Sequence, residues 1–271
     1  MPTVSLFQVD AFTDRPFAGN PAAVCLLETP LPDERLLEIA AENNLSETAF
    51  VDVGRGAGED VLGLRWFTPT VEVELCGHAT LASGFVVLNE LAPSRPRVRF
   101  QTRSGILTVE RAAGDELVLD LPISRPQPVD PAIAARVADA ARLELREVAL
   151  GKAGYLGRVD GAATVRAAAP DLVAVAALGT SLCLTAPGNG EARPVDFVSR
   201  FFAPAHGVPE DPVTGSAHCM LTPYWAARLG KDKLRARQVS RRGGELTCAI
   251  DGDRVRLGGQ GRLVLRGTLM F

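Results

Sequence analysis

The chain has 271 residues, 46% hydrophobic and 23% charged, and its 29 basic and 32 acidic side chains leave a net charge of −3. Such a balance describes an ordinary globular protein of one or two domains and argues against nucleic acid or a membrane surface as the main partner. The longest apolar run, LASGFVVL, is far shorter than the roughly 20 residues a bilayer span needs, MPTVSLFQVDAF lacks the pattern of a secretory signal, and Cys25, Cys76, Cys183, Cys219 and Cys248 form no CxxC pair, so free thiols and a cytoplasmic location are expected.

In chain order, VSLFQVDAF (4–12) reads as a strand, and PDERLLEIAAENN (32–44) as an amphipathic helix with an Asp cap and apolar residues at 36, 37, 39 and 40. TAFVDV (48–53) and LRWF (64–67) are strand patterns, with the glycine-rich GRGAGE (54–59) as a hairpin turn between them. The run ATLASGFVVLNEL (79–91) is apolar nearly all round, which predicts a helix buried on every side. RVRFQTRSGILTVER (97–111) reads as a hairpin turning at Ser104-Gly105, and the four prolines of DLPISRPQPVDP (120–131) mark a linker. AHCMLTPYWAARL (217–229) is a second helix, which Pro223 is expected to kink or to end after its first turn.

Parts of the sequence recur at about half its length. LRWFTP and SRFFAP share R-aromatic-F-x-P, with Arg65 and Arg200 135 residues apart. Gly77-His78-Ala79 and Gly215-Ser216-Ala217, like Pro32-Asp33 and Pro170-Asp171, stand 138 apart, and Leu107-Thr108 and Leu246-Thr247 stand 139 apart. Four matches in one order predict a tandem duplication. The expected halves are 1–119 and 132–262, joined by 120–131. Each would be α+β, a curled, mostly antiparallel sheet around one central buried helix.

Both predicted central helices open on glycine and small polar residues, CGHAT in one half and TGSAH in the other. A helix N-terminus presents unpaired N–H groups and a partial positive charge, and glycine lets a ligand approach the backbone, so each mouth suits a carboxylate. If the halves pack about a pseudo-twofold axis, both mouths face one interdomain cleft. The plainer alternative is that both stretches are helix caps. All three histidines, His78, His206 and His218, fall in the mouth regions. With Asp211 they could be read as a metal set, but HxxxH and HExxH spacings are absent, and no metal is expected.

The stretches VDAFTDRPFAGNPAAV (9–24), NNLSETAFV (43–51), RWFTPTVEVELCGHAT (65–80) and GVPEDPVTGSAHCML (207–221) together resemble the PhzF, phenazine biosynthesis-like family of the diaminopimelate epimerase and proline racemase superfamily. The resemblance implies a diaminopimelate epimerase-like fold of two duplicated domains with the active site in the interdomain cleft, and lets the terminal LVLRGTLMF (263–271) return to the first half. It also implies a homodimer, and a small carboxylate-bearing metabolite as substrate.

Racemases of that superfamily use two cysteines, one on each side of the substrate's α-carbon. Cys76 matches the first, whereas Thr214 stands where the second would be, and a hydroxyl is too weak an acid or base to replace a thiol. The resemblance offers Glu47 of SETAFV instead, whose counterpart by sequence step falls near Leu184-Thr185, where there is no carboxylate. One acid on one side suits a single group carrying a proton between two substrate atoms, and burial beside Ala49 and Phe50 would raise its pKa. His78 and Asp211 complete the implied catalytic set. Gly77, Gly215, Ser216, Thr214 and Ser46 are the implied substrate-binding groups, and Asn20 supports the loop near Glu47. Cys76 remains open as spectator, packing residue or second acid/base; a thiol at a helix N-terminus has a lowered pKa. A Cys76–His78 hydrolase is disfavoured because residues two apart on a helix diverge.

The expectation is therefore a cofactor-independent isomerase of a small carboxylic acid. A Cys76-dependent epimerase and a noncatalytic carboxylate-binding protein are the alternatives.

Overall fold

The computed structural model describes residues 2–54 and 61–271. It is an α+β structure of two compact units: Met1–Asp120 with Gly258–Phe271, and Leu121–Leu257. From residue 55 on, the expected GRGAGE turn lies outside the described residues. No helix among the described residues is long and apolar enough to cross a membrane.

The first unit contains β1 (Thr3–Ala11), β2 (Asn20–Leu27), α1 (Asp33–Asn43), β3 (Glu47–Asp52), β4 (Val61–Phe67), β5 (Glu72–Val73), α2 (Gly77–Val86), β6 (Arg97–Thr102), β7 (Gly105–Arg111) and the start of β8 (Leu117–Pro122). β1 and β2 are antiparallel, β2 and β3 parallel, β3 and β4 antiparallel, β4 and β6 parallel, and β6 and β7 antiparallel. The last strand of the chain, Gly261–Met270, lies antiparallel to β1, from Thr3 opposite Met270 to Ala11 opposite Gly261.

The central strands β2 and β3 are buried on both faces, which side-chain alternation explains. One set, Cys25, Leu27 and Phe50, packs with Phe67 against Leu36, Ile39 and Ala40 of α1. The other set, including Ala22, Val24, Ala49 and Val51, is wholly buried and small, leaving room for α2 on the opposite face. The helix α2 is buried all round from Gly77 to Gly84, as its unbroken apolar pattern predicts. Its hydroxyls stay satisfied internally, Thr80 donating to the Cys76 carbonyl and Ser83 to that of Ala79. A Cβ on Gly84 would stand 2.4 Å from Val109 Cγ1, so the helix approaches β7 as closely as glycine allows.

Two local expectations change. The α-helix ends at Val86 and widens into a π-helical turn, Val87–Leu91, closed by Ala92 N–H on the Val87 carbonyl. Pro93 has no N–H to offer the Leu88 carbonyl, which accepts from the Arg111 guanidinium instead. Asp33 is not a cap: Pro32 is the N-cap residue of α1, and the Asp33 carboxylate accepts from Arg65 Nη1 at 2.8 Å. A partner 32 residues away in sequence outcompetes the local backbone.

The second unit contains β9 (Gln127–Pro128), α3 (Pro131–Ala141), β10 (Glu147–Gly151), β11 (Gly154–Arg158), α4 (Ala162–Ala167), α5 (Leu172–Ala176), β12 (Leu182–Pro187), β13 (Phe197–Ala203), β14 (Val208–Asp211), α6 (Gly215–Leu229), β15 (Lys233–Gln238), β16 (Gly244–Asp251) and most of β17 (Arg254–Gly259). The proline-rich segment 120–131 carries the end of β8, all of β9, and Asp130, which caps α3. From β10 the pairings run antiparallel, parallel, antiparallel, parallel, antiparallel through β11, β12, β13, β15 and β16, the same alternation as in the first unit.

The R-x-F repeat has a matching physical role in each unit. Arg65 stacks on Phe67 at 5.0 Å and pairs with Glu72 of β5, while Arg200 stacks on Phe202 at 4.9 Å and pairs with Glu210 of β14. Pro223 does not end α6, which runs unbroken from Gly215 to Leu229. The proline withholds a bond from the Cys219 carbonyl, and Ser124 N–H supplies it at 3.1 Å.

Candidate active site

Glu47 is the first residue of β3, in register with Ala22 of β2. Asn20, two positions before Ala22, is fully buried on the same side of the sheet as Glu47 by alternation. Ser46 precedes Glu47 and is half-buried. Cys76 is the N-cap of α2 with an extended backbone, φ −139° and ψ 106°, and Gly77 and His78 form the first turn.

These placements bring three predicted residues together. His78 Nε2 stands 3.2 Å from Glu47 Oε2, with 5% and 17% of the two side chains exposed. The pair is close but off the hydrogen-bond axis, and neither buried atom has another partner. On the other side of the ring, His78 Nδ1 lies 3.5 Å from Cys76 Sγ. Residues two apart were expected to diverge; they meet because the N-cap is extended and does not follow helical spacing.

The three ligand-type atoms all lie within 4.8 Å of one another, a grouping that could hold a cation. Cysteine and carboxylate, however, address opposite nitrogens of one imidazole, and a single ion takes only one of these. The imidazole therefore stands between the thiol and the carboxylate, with one ring nitrogen toward each.

Burial, together with the Glu47 charge, pushes the Cys76 thiol up to about 11, overriding the helix terminus that was expected to lower it. His78 moves the other way. Burial opposes its charge, but the neighbouring Cys76 sulfur and Glu47 carboxylate outweigh burial and hold it well above the usual histidine value.

In the second unit, Asp211 ends β14, half-buried, and its Oδ2 accepts from Thr214 Oγ1. Thr214 is the extended N-cap of α6, Gly215 its buried first residue, and Ser216 is half-buried. His218 is fully buried, contacts the Thr214 carbonyl through Nδ1 at 2.8 Å and stacks on Phe197, while His206 is exposed in a short 3₁₀ turn. Burial lowers His218 to about 4, so it is neutral across the physiological range.

Strand register moves the sequence counterpart of Glu47 in the second unit. Phe50 pairs with Arg65 and Leu184 with Arg200, so the residue equivalent to Glu47 is Ser181, not Leu184 or Thr185. It too lacks a carboxylate. Sequence reasoning missed Gln238, whose fully buried amide accepts the Thr214 N–H at 2.9 Å and donates to the Asp211 carbonyl at 2.7 Å. The signal was available: Gln238 occupies an inward position of β15, after Leu234 and Ala236.

Residues 9–267 match the phenazine biosynthesis-like protein family PhzC-PhzF. An uncharacterised isomerase of Pseudomonas aeruginosa is 50% identical over 266 residues, covering 98% of each chain. The chain belongs to the PhzC-PhzF family. A crystal structure of a PhzF-family phenazine biosynthesis protein from Enterococcus faecalis superimposes with a TM-score of 0.90 at 39% identity, covering 100% of both chains. The fold extends to a hydroxyproline epimerase from Agrobacterium vitis, with a TM-score of 0.62 at 12% identity over 98% of this chain and 92% of that one. With full-length relatives of 40 to 50% identity named as isomerases, this PhzC-PhzF member is an isomerase-type enzyme.

Proposed function

We propose that the protein is a cofactor-independent isomerase of a small carboxylic acid, in which Glu47 carries a proton from one substrate atom to another. The observation that carries this reading is the buried Glu47–His78 contact, whose facing atoms, 3.2 Å apart, have no aligned hydrogen bond. The Glu47 carboxylate removes a proton from a carbon acidified by the neighbouring carboxyl or double bond. The electron pair delocalises, and Glu47, now the acid, returns the proton to a second atom on the same face. Nothing is gained or lost overall. His78, held as the imidazolium, stabilises negative charge developing on the substrate.

Gly77 at the mouth of α2 is a carboxylate-binding group of the first unit; in the second unit Gly215, Ser216 and Thr214 form the carboxylate-binding mouth of α6, where Asp211 receives an amine or hydroxyl. Asn20 and Ser46 support the strand starts beside Glu47. The Cys76–His78 contact of 3.5 Å favours a second reading, an epimerase in which the thiol serves as the other acid/base.

Solvent deuterium incorporation, followed by mass spectrometry across small amino, hydroxy and unsaturated carboxylic acids, separates the two. Exchange lost in Glu47→Gln and kept in Cys76→Ser supports the single-carboxylate isomerase. Loss in Cys76→Ser with inversion at the exchanging carbon replaces it with the epimerase. Retention in Glu47→Gln overturns the proposal.

A further inference from the structure

We infer that Gln238 is a positioning residue for Asp211 and for the mouth of α6, and that it acts through its amide and not as packing. The inference rests on the role proposed above for Asp211. Gln238 has no exposed surface and closes β15 at an inward position where aliphatic side chains precede it. Its side chain makes three hydrogen bonds to one turn. Oε1 accepts the Thr214 N–H at 2.9 Å, and Nε2 donates to the Asp211 carbonyl at 2.7 Å and to Thr214 Oγ1 at 3.1 Å.

The chemistry of these partners fixes the amide's orientation. A backbone N–H can only donate and a carbonyl can only accept, so a flipped amide would oppose donor to donor and acceptor to acceptor. The orientation then sets the next proton. Thr214 Oγ1 accepts from Gln238, so its own hydrogen points to Asp211 Oδ2. Gln238, Thr214 and Asp211 thus form a chain with one direction, and Asp211 is held as an acceptor. The same clamp fixes the backbone of Thr214, from which the first amides of α6 project. Hydrogen bonds of this kind strengthen one another in a buried setting.

Two substitutions at this site separate chemistry from volume. Gln238→Met keeps size and removes every polar contact. Gln238→Glu keeps the shape and makes the clamp titratable. A protonated carboxyl still accepts from Thr214 and donates to the Asp211 carbonyl, whereas an ionised one has no proton to donate and meets that carbonyl with repulsion.

The experiment is amide NMR of the full chain at Thr214, Gly215 and Ser216, titrated with acetate from about pH 5 to about pH 8, the range that brackets a buried carboxyl. Wild type should respond to acetate at Gly215 and Ser216 throughout. Gln238→Met should weaken the response about tenfold at every pH, as expected for one lost buried hydrogen bond. Gln238→Glu should behave as wild type at the acid end and as Gln238→Met at the other.

A Met variant with wild-type response, or a Glu variant with no pH dependence, overturns the inference. If wild type itself does not respond to acetate, the carboxylate-binding role of this mouth falls. Gln238 is then judged on the Thr214 amide shift, which must follow pH in Gln238→Glu and stay fixed in wild type.

Discussion

The mouths of α2 and α6 are built alike and equipped differently. Each begins with an extended N-cap residue, Cys76 or Thr214, whose side chain caps no backbone N–H, followed by a buried glycine. Each helix carries one histidine, and the two are shifted in opposite directions. His78 faces the Glu47 carboxylate and its pKa is raised, while His218 faces a backbone carbonyl and a phenyl ring and its pKa is lowered. One mouth holds a thiol, an imidazole and a carboxylate in contact; the other holds a clamp of neutral groups around Asp211. A shared backbone plan sets where side chains stand, and partners from neighbouring strands decide what they do.

The largest effect that tests this contrast is on Glu47. Glu47→Gln should lower deuterium exchange by about a thousandfold, within the usual range for removing a general acid or base, with far-ultraviolet circular dichroism unchanged. A comparable effect from Asp211→Asn alone, with Glu47→Gln near wild type, would reverse the assignment of the two mouths.

Next is His218. Its folded value of about 4 lies below the unfolded value, so from about pH 6.5 down to about 4 the unfolded chain binds a proton that the folded chain refuses. Stability should fall by about 3 kcal/mol over that interval, and His218→Asn, which can keep the bond to the Thr214 carbonyl, should remove that share of the acid loss in denaturant titrations.

His78 gives the opposite sign. Its folded value is raised, so its contribution to stability is complete below the unfolded histidine value and is lost as pH rises through the folded one. The alkaline decline in melting temperature should therefore be shallower in His78→Asn. The smallest effect concerns Cys76: a buried thiol raised to about 11 should react with iodoacetamide far more slowly at pH 7 than the same protein unfolded in urea. Rapid labelling in the folded state would show the helix terminus prevailing over burial.

Much of this was legible in the chain. The helix α2 announced itself because a segment buried on all sides must be apolar on all sides, and the R-x-F repeat because an arginine stacked on the aromatic two residues on and paired with the next short strand keeps its spacing. The cap of α1 was not legible, since whether Asp33 bonds its own helix or Arg65 depends on a tertiary partner. Nor was the Cys76–His78 contact, which follows from one backbone conformation at an N-cap. Matching Glu47 to Ser181 by strand position required register, because small differences in loop length accumulate when residues are merely counted along the chain.

The strand Gly261–Met270, hydrogen-bonded along the whole of β1, bears on how the protein is made. During synthesis β1 emerges before its partner, with the entire second unit between them. The contiguous unit can reach its native contacts while the first still lacks its outermost strand. Until then β1 presents an open row of N–H and C=O groups, the feature that draws in stray strands. The nascent chain is thus vulnerable to mispairing at β1 until the strand Gly261–Met270 has left the ribosome and ends that exposure.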